Sequence, residues 1–298
     1  MMINNEIEKR IFGSLPSVMY RYLCICGFSS DVDKDFLIFT SGLPFSAIIH
    51  QQVLENKTDI TCFPVYFDLP MYRVLSYLGC DDSCELIQKF GNVYNESYFI
   101  RRLQDNLRLG RPVIAKNLTG DNSWNLIIEY LPEDNRVRIE TETKTELISD
   151  WYKNIDTILL LQKPKVKKLF SSSLDWCQQF DSLYGIDQFY TGYQAHRHVL
   201  KSLHTLDENK WRLAVLAYMS DLYLYRSFCT QFLADYSQGM FQNNNRITHA
   251  ISILKKLCEQ IYDVLQRIKT GCKINDIIPL IEILAHDDHQ VFCVLNGE

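Results

Sequence analysis

The feature that most constrains the fold is a helix-forming segment between residues 14 and 27. Its apolar residues recur at the three- and four-residue spacing of a buried helix face: Leu15, Val18, Met19, Tyr22, Leu23 and Cys26. Ser14 is suited to cap the N-terminus of this helix, and Gly27 is suited to the left-handed conformation that ends it. The segment therefore predicts a helix with one face buried against a core that the rest of the chain must supply.

Further along the chain, the sequence predicts a second helix and then a series of strands. A second helix is predicted over Glu96–Leu109, where Gly110 and Pro112 stop it. After it the periodicity changes to that of β-structure, with strands predicted at Val113–Ala115, Asn125–Tyr130, Arg136–Thr141 and Thr157–Gln162. Pro132–Asn135 is typical of a hairpin turn. Helices followed by a mostly antiparallel sheet predict an α+β domain.

Other N-terminal segments carry weaker signals. Pro44–Gln51 fits either a strand or the end of a loop, and Asp59–Phe67 fits an edge strand interrupted by Pro64. Pro70–Leu78 and Glu146–Tyr152 are each predicted to form a short helix.

The chain beyond residue 164 has helical periodicity throughout. The predicted helices there are Lys210–Gln238, Ile247–Lys269 and Ile274–Ala285, the last ended by a solvated His286–His289 segment. A Lys-rich and Ser-rich break near residues 163–172 marks a domain boundary. We therefore expect an α+β domain at residues 1–165 and an all-α domain at residues 170–298.

Composition narrows the functional classes. The formal net charge of −5 and a pI near 5.8 argue against a nucleic-acid-binding protein. No apolar run is long enough for a signal peptide or a membrane span, and the ten cysteines form no paired framework. We therefore expect a cytoplasmic protein with reduced cysteines and no membrane partner.

Four segments resemble the butirosin-biosynthesis protein H family, which joins a papain-like cysteine-peptidase domain to a C-terminal helical domain. Ile38–Phe45 resembles the segment that follows the nucleophile helix in this family. Arg108–Val113 resembles its junction of helix, Gly-Arg-Pro-Val and strand, and Asn125–Tyr130 resembles the strand after its catalytic His. Arg226 with Phe232-Leu233 resembles a feature of its helical domain.

The resemblance implies a papain-like N-terminal domain and acyl transfer in specialised-metabolite assembly, of the nonribosomal peptide, polyketide or aminoglycoside type. In such a reaction the acyl group leaves a carrier-protein thioester for an amine. An acyl or peptidyl carrier protein, or a synthetase, is then the expected partner. The phosphopantetheine of that partner is the acyl donor group, and the chain itself needs no cofactor.

At the positions that match the family's catalytic Cys and His, this chain has residues of other types. Ser14 stands where the nucleophilic Cys would be, and Ser123 or Trp124 stands where the His would be. His50 is the only histidine before residue 196 and is therefore the remaining candidate base. Ser14 also fits a simple N-cap.

The remaining candidates concern substrate binding. The acid position of the family falls near Glu140 or Thr141, and Ser17, Ser41, Trp124 and Glu140 are the candidate substrate-binding residues. Trp124 also fits a core or pocket-wall position. Cys24 and Cys26 lie in the last turn of the first helix, where the helix dipole disfavours a thiolate, and are not expected to act as displaced nucleophiles.

Signals for a metal site are weak: His286–His289 could bind a divalent cation, but such a segment is more often a solvated helix end. His196 and His198 diverge on a helix, and Cys80 and Cys84 lack a second pair of ligands.

Two functions remain open from the sequence. One is an acyltransferase-like enzyme with a divergent site, and the other is a non-catalytic pseudoenzyme that binds a carrier protein, a synthetase or a product. The aromatic C-terminal helices also leave a homodimer open.

Overall fold

The computed structural model divides the chain into two compact units, which we call the mixed unit and the helical unit. The mixed unit contains the described residues up to 40 and from 74 to 161, and the helical unit contains 47–50 and 189–297. The residues that the structure describes are 15–28, 34–40, 47–50, 74–75, 78, 80, 84–89, 96–120, 123–141, 144–161, 189–237 and 245–297.

The mixed unit joins helices to an antiparallel sheet, which confirms the predicted α+β class. In chain order its elements are α1 (Leu15–Ile25), α2 (Lys34–Thr40), β2 (Cys84–Gln88), α3 (Glu96–Arg108), β3 (Val113–Lys116), β4 (Trp124–Leu131), β5 (Arg136–Glu140), β6 (Thr145–Ile148), α4 (Trp151–Asn154) and β7 (Thr157–Leu161). The strand order is β2-β7-β3-β4-β5-β6, and every pairing is antiparallel.

The two faces of this sheet pack against different helices. On one face, Val18, Met19 and Tyr22 of α1 pack with Ile114 and Leu126 of the sheet; we call it the α1 face. On the other, the α3 face, the core consists of Phe99 and Leu103 from the helix with Val113, Ala115 and Ile127 from the strands. Because successive strand residues point to opposite sides, alternate positions of β3 and β4 serve the two faces.

The predicted stops of α1 and α3 are confirmed by their hydrogen bonds. Gly27 has φ +84°, its N–H donates to the Cys24 carbonyl at 3.1 Å, and the Phe28 N–H donates to the Leu23 carbonyl at 2.8 Å. This is the Schellman arrangement, in which a left-handed residue satisfies the last carbonyls of a helix. Gly110, with φ +70°, ends α3 in the same way.

Among its described residues, the helical unit contains long helices and a short strand pair. Its elements are β1 (Ile48–His50), β8 (Phe189–Thr191), α5 (Gly192–Leu203), α6 (Glu208–Ser237), α7 (Asn245–Lys269) and α8 (Ile274–Asn296). β1 pairs antiparallel with β8. The helical C-terminal region is thus confirmed, but the unit is not all-α, and residues 47–50 lie in it rather than with the N-terminal segment.

Two element predictions are wrong. Glu146–Tyr152 does not form one helix, because β6 pairs with β5 as the sheet's last strand and only α4 is helical. The last helix does not end at Ala285, because Asp287 and Asp288 are buried inside α8, which continues to Asn296.

Several predictions fall outside the described residues. The Asp59–Phe67 strand and the boundary between residues 165 and 170 lie there, and of the Pro70–Leu78 helix only Val74 and Leu75 are described as helical. Among the described helices, none has the length and apolar character needed to cross a membrane.

Candidate functional site

Trp124 is the first residue of strand β4 and lies on the α1 face of the mixed unit. Its side chain is 6% exposed, and it belongs to the same apolar core as Leu15, the first residue of α1. The predicted core position of Trp124 is therefore confirmed. This side chain covers the end of the sheet to which the family resemblance assigned a catalytic His.

Lys116 lies beside Trp124 and was missed by the sequence reasoning. It is the last residue of β3, directly opposite Trp124 in the ladder, and it is only 6% exposed. Its Nζ lies 5.8 Å from the centroid of the Trp124 ring, within the range of a cation–π interaction. A lysine at the end of an apolar strand looks like a solvated terminus. Only the pairing with a large aromatic residue across the ladder identifies it as buried.

Glu140 lies on the same face. Val137 and Ile139 of β5 pack into the α3-face core, so the alternation of the strand directs Glu140 to the α1 face. Glu140 pairs with Leu126, which makes it a diagonal neighbour of Trp124. Arg21 of α1 donates from Nη1 to the Glu140 carbonyl oxygen at 2.5 Å, which links the helix to this strand.

Ser123 lies on the opposite side of the sheet from Trp124. The Asn125 side chain donates to the Ser123 Oγ at 3.1 Å, and the alternation of β4 directs Asn125 to the α3 face. Of the two alternatives for the family's His position, only Trp124 is on the face that α1 covers. The structure therefore groups Trp124 and Glu140 with Lys116 and leaves Ser123 out.

The other predicted site residues are described in part or not at all. Ser14 and Ser41 lie outside the described residues, and for Ser17 and His50 only the backbone is described. The His50 backbone pairs with Phe189 in the helical unit. No histidine of the sequence lies between residues 51 and 195, and the mixed unit's described residues contain none.

A displaced cysteine nucleophile is not favoured at α1. Burial raises the pKa of the Cys26 thiol, and a hydrogen bond with Tyr22 and the charge of Arg111 offset that effect only in part. Cys26 also lies just beyond the C-terminal end of α1, where the helix dipole opposes a negative charge. A thiolate is therefore not stabilised at this position.

The helical unit contains a second polar cluster, which we call the Asp288 network. Arg226 Nε donates to Asp288 Oδ1 at 2.5 Å and Arg226 Nη2 donates to Oδ2 at 2.7 Å. His196 Nε2 lies 3.0 Å from Asp288 Oδ2, and His196 Nδ1 lies 3.0 Å from the Tyr218 hydroxyl. A carboxylate only accepts hydrogen bonds, so Nε2 carries a proton. The network joins α5, α6 and α8.

All four side chains of this network are at most 3% exposed. Burial opposes ionisation of Asp288, but the charge and hydrogen bonds of Arg226, with the hydrogen bond from His196, outweigh it and hold the pKa of Asp288 well below its usual range. Conversely, Asp288 keeps the pKa of Arg226 above its usual range despite burial. Because no member is accessible, this network serves the packing of three helices rather than a substrate.

The Asp288 network also corrects the reading of His286–His289. The sequence predicts a solvated helix end here, yet Asp287 and Asp288 are 6% and 2% exposed, and Asp287 pairs with Lys256 at 2.8 Å. Arg226, singled out by the family resemblance, is the ion-pair partner of Asp288, and Phe232 and Leu233 are core residues. Within the described ranges, no three His, Cys, Asp or Glu side chains are grouped to hold a metal ion.

Comparison with known proteins adds no further assignment. No protein-family model matches this sequence, and no curated protein matches it significantly.

Proposed function

We propose that this chain is a non-catalytic protein with a papain-like mixed unit, and that it binds an acyl thioester presented by a carrier protein or a synthetase. The observation that carries the proposal is Trp124 buried with Lys116, at the place where the resemblance puts a His. The described residues of the mixed unit contain no histidine whose imidazole would accept a nucleophile's proton.

The papain-like assignment rests on the order and packing of elements. An early helix packs on one face of an antiparallel sheet, and α3 leads into strand β3 through a Gly-Arg-Pro-Val junction. This order agrees with the family resemblance of Ile38–Phe45 and Arg108–Val113. Because a fold alone does not define an activity, the functional proposal depends on the site.

The chemistry of the α1 face fits the arm of a loaded carrier. An acyl-phosphopantetheine arm combines an apolar acyl chain with amide and phosphate groups. Trp124 and Lys116 keep only 6% of their surface exposed, and that edge offers apolar surface and a cation, while the neighbouring Glu140, which is partly exposed, supplies a hydrogen-bond acceptor. No phosphopantetheine attachment to this chain itself is required.

A divergent acyltransferase is the second candidate, and Lys116 is the observation that favours it. The amine of Lys116 is a titratable group, and Lys116 lies directly opposite Trp124, which stands at the position of the family's His. In that case a serine at the start of α1, with Ser14 as the candidate, would take the acyl group from the thioester. The thiol would be released, and an amine would receive the acyl group.

One experiment separates the two candidates. The full chain is incubated with octanoyl-phosphopantetheine, and released thiol and the intact protein mass are followed in wild type, Ser14→Ala and Lys116→Met. Binding with no thiol release and no adduct agrees with the non-catalytic proposal. Thiol release that disappears in both variants would establish the acyltransferase instead. Absence of both binding and release would contradict both, and Ser123→Ala serves as the control on the opposite face.

A further inference from the structure

The exposed side of α8 carries a thiol and an imidazole one turn apart. His289 and Cys293 are at i and i+4, and the His289 Nε2 lies 3.7 Å from the Cys293 Sγ. Cys293 is partly exposed and His289 is exposed, so both atoms are on the accessible side of the helix. Residues at this spacing project from the same side of a helix and can chelate one ion.

The separation of the two donor atoms fits a tetrahedral zinc ion. With Zn–S near 2.3 Å and Zn–N near 2.0–2.1 Å, two ligands at the tetrahedral angle are roughly 3.5 Å apart. The measured 3.7 Å is within a few tenths of an ångström of that value. Little rearrangement of either side chain is needed to bring an ion between them.

Two further features favour a cation here. The Tyr193 ring of α5 lies against the His289 ring, with centroids 5.9 Å apart, and so limits the orientations of the imidazole. Cys293 lies in the last turn of α8, where its carbonyl accepts the Gly297 N–H and the negative end of the helix dipole favours positive charge. The same dipole disfavours a bare thiolate, which argues for metal binding rather than for a reactive cysteine.

We infer that His289 and Cys293 form a two-ligand site for zinc or a similar divalent ion that accepts sulfur and nitrogen ligands. His286 is engaged instead with Gln290, at 3.1 Å between their Nε2 atoms, and no third His, Cys, Asp or Glu joins the pair among the described residues. On binding, the ion replaces the thiol proton, which passes to solvent, so one proton is released per ion. This inference is independent of the proposed function, because it concerns the helical unit alone.

The test is a titration of the reduced full chain with Co²⁺, which reports thiolate ligation through a charge-transfer absorption band in the near ultraviolet. Wild type is expected to show this band, release one proton per ion and lose the band when Zn²⁺ is added. Cys293→Ser and His289→Ala are expected to lose the band, with circular dichroism confirming that α8 remains folded.

Matched variants decide between this pair and general surface binding. Cys272→Ser removes another partly exposed thiol, which has Arg212 rather than a histidine beside it, and His204→Ala removes an exposed histidine on a turn. Both are expected to keep the band. The inference is overturned if wild type shows no band, if the band survives Cys293→Ser, or if Cys272→Ser abolishes it.

Discussion

Removing the carboxylate of the Asp288 network should be among the most costly single changes in the helical unit. Asp288→Asn keeps the size of the side chain but removes the negative charge that Asp288 places against the Arg226 guanidinium, which is 1% exposed. Removing one partner of a buried ion pair costs about 3–5 kcal/mol, because the remaining charge stays desolvated. We expect a loss in that range, or a fall in melting temperature of about 10 °C for a unit of this size.

Two further variants show whether charge, rather than side-chain shape, causes the loss. Replacing both partners, in Arg226→Met/Asp288→Leu, removes the stranded charge, so most of the stability should return. His196 Nε2 then lacks its acceptor, which costs about 1–3 kcal/mol. Asp263→Asn is the surface control: Asp263 pairs with Arg267 at 2.8 Å, but both side chains are about half exposed, and its loss should cost at most about 0.5 kcal/mol.

The assay is urea unfolding of the full chain followed by far-ultraviolet circular dichroism, to which α5–α8 contribute strongly. The reasoning is refuted if Asp288→Asn costs no more than Asp263→Asn. It is also refuted if the double variant is as unstable as the single one, because the cost then does not come from the buried charge of Arg226.

Three smaller predictions follow from the same structure. The pKa of Asp288 is depressed in the folded state, so its contribution to stability is complete above its unfolded pKa of about 3.9 and is lost as the pH falls below that value. In urea unfolding at pH 2–6, the stability of Asp288→Asn should therefore fall less steeply below pH 4 than the stability of wild type. Gly110→Ala should destabilise the mixed unit by about 1 kcal/mol in thermal unfolding. The cost comes from the backbone φ of +70° and not from a clash, because a Cβ at this position meets nothing within 4 Å. Gly110→Asn should cost less, because Asn tolerates the left-handed conformation better than Ala. Trp124→Ala should cost about 3–5 kcal/mol in the same assay because Trp124 is in the core; a cost below 1 kcal/mol would place the ring outside it.

Local signals in the sequence predicted most of the mixed unit because they act over a few residues. Gly27 and Gly110 end helices through hydrogen bonds to carbonyls three to five residues earlier, and the strands from β3 to β7 have simple apolar patterns. The exception is β6. Thr145–Ile148 contains good helix formers, and only its pairing with β5 makes it a strand, which is a tertiary effect that overrides local propensity.

The polar residues of the interior were not predictable in the same way. The partners of Asp288 lie 62 and 92 residues away, so the His286–His289 segment looked like a solvated helix end. Lys116 looked like an ordinary strand terminus for the same reason, since its burial depends on Trp124 across the ladder. Contacts between distant segments decide which charged residues are buried, and one sequence does not display them.

The most direct test of the proposed function is a comparison of two binding isotherms, for octanoyl-phosphopantetheine and for phosphopantetheine alone. The account predicts that the wild-type chain binds the acylated compound at least about tenfold more tightly, or about 1.4 kcal/mol, because the apolar acyl chain is removed from water beside the exposed edge of Trp124. Lys116→Met should weaken binding, and Ser123→Ala should leave it unchanged. Equal affinity for the two compounds would contradict the claim that the α1 face recognises an acyl thioester.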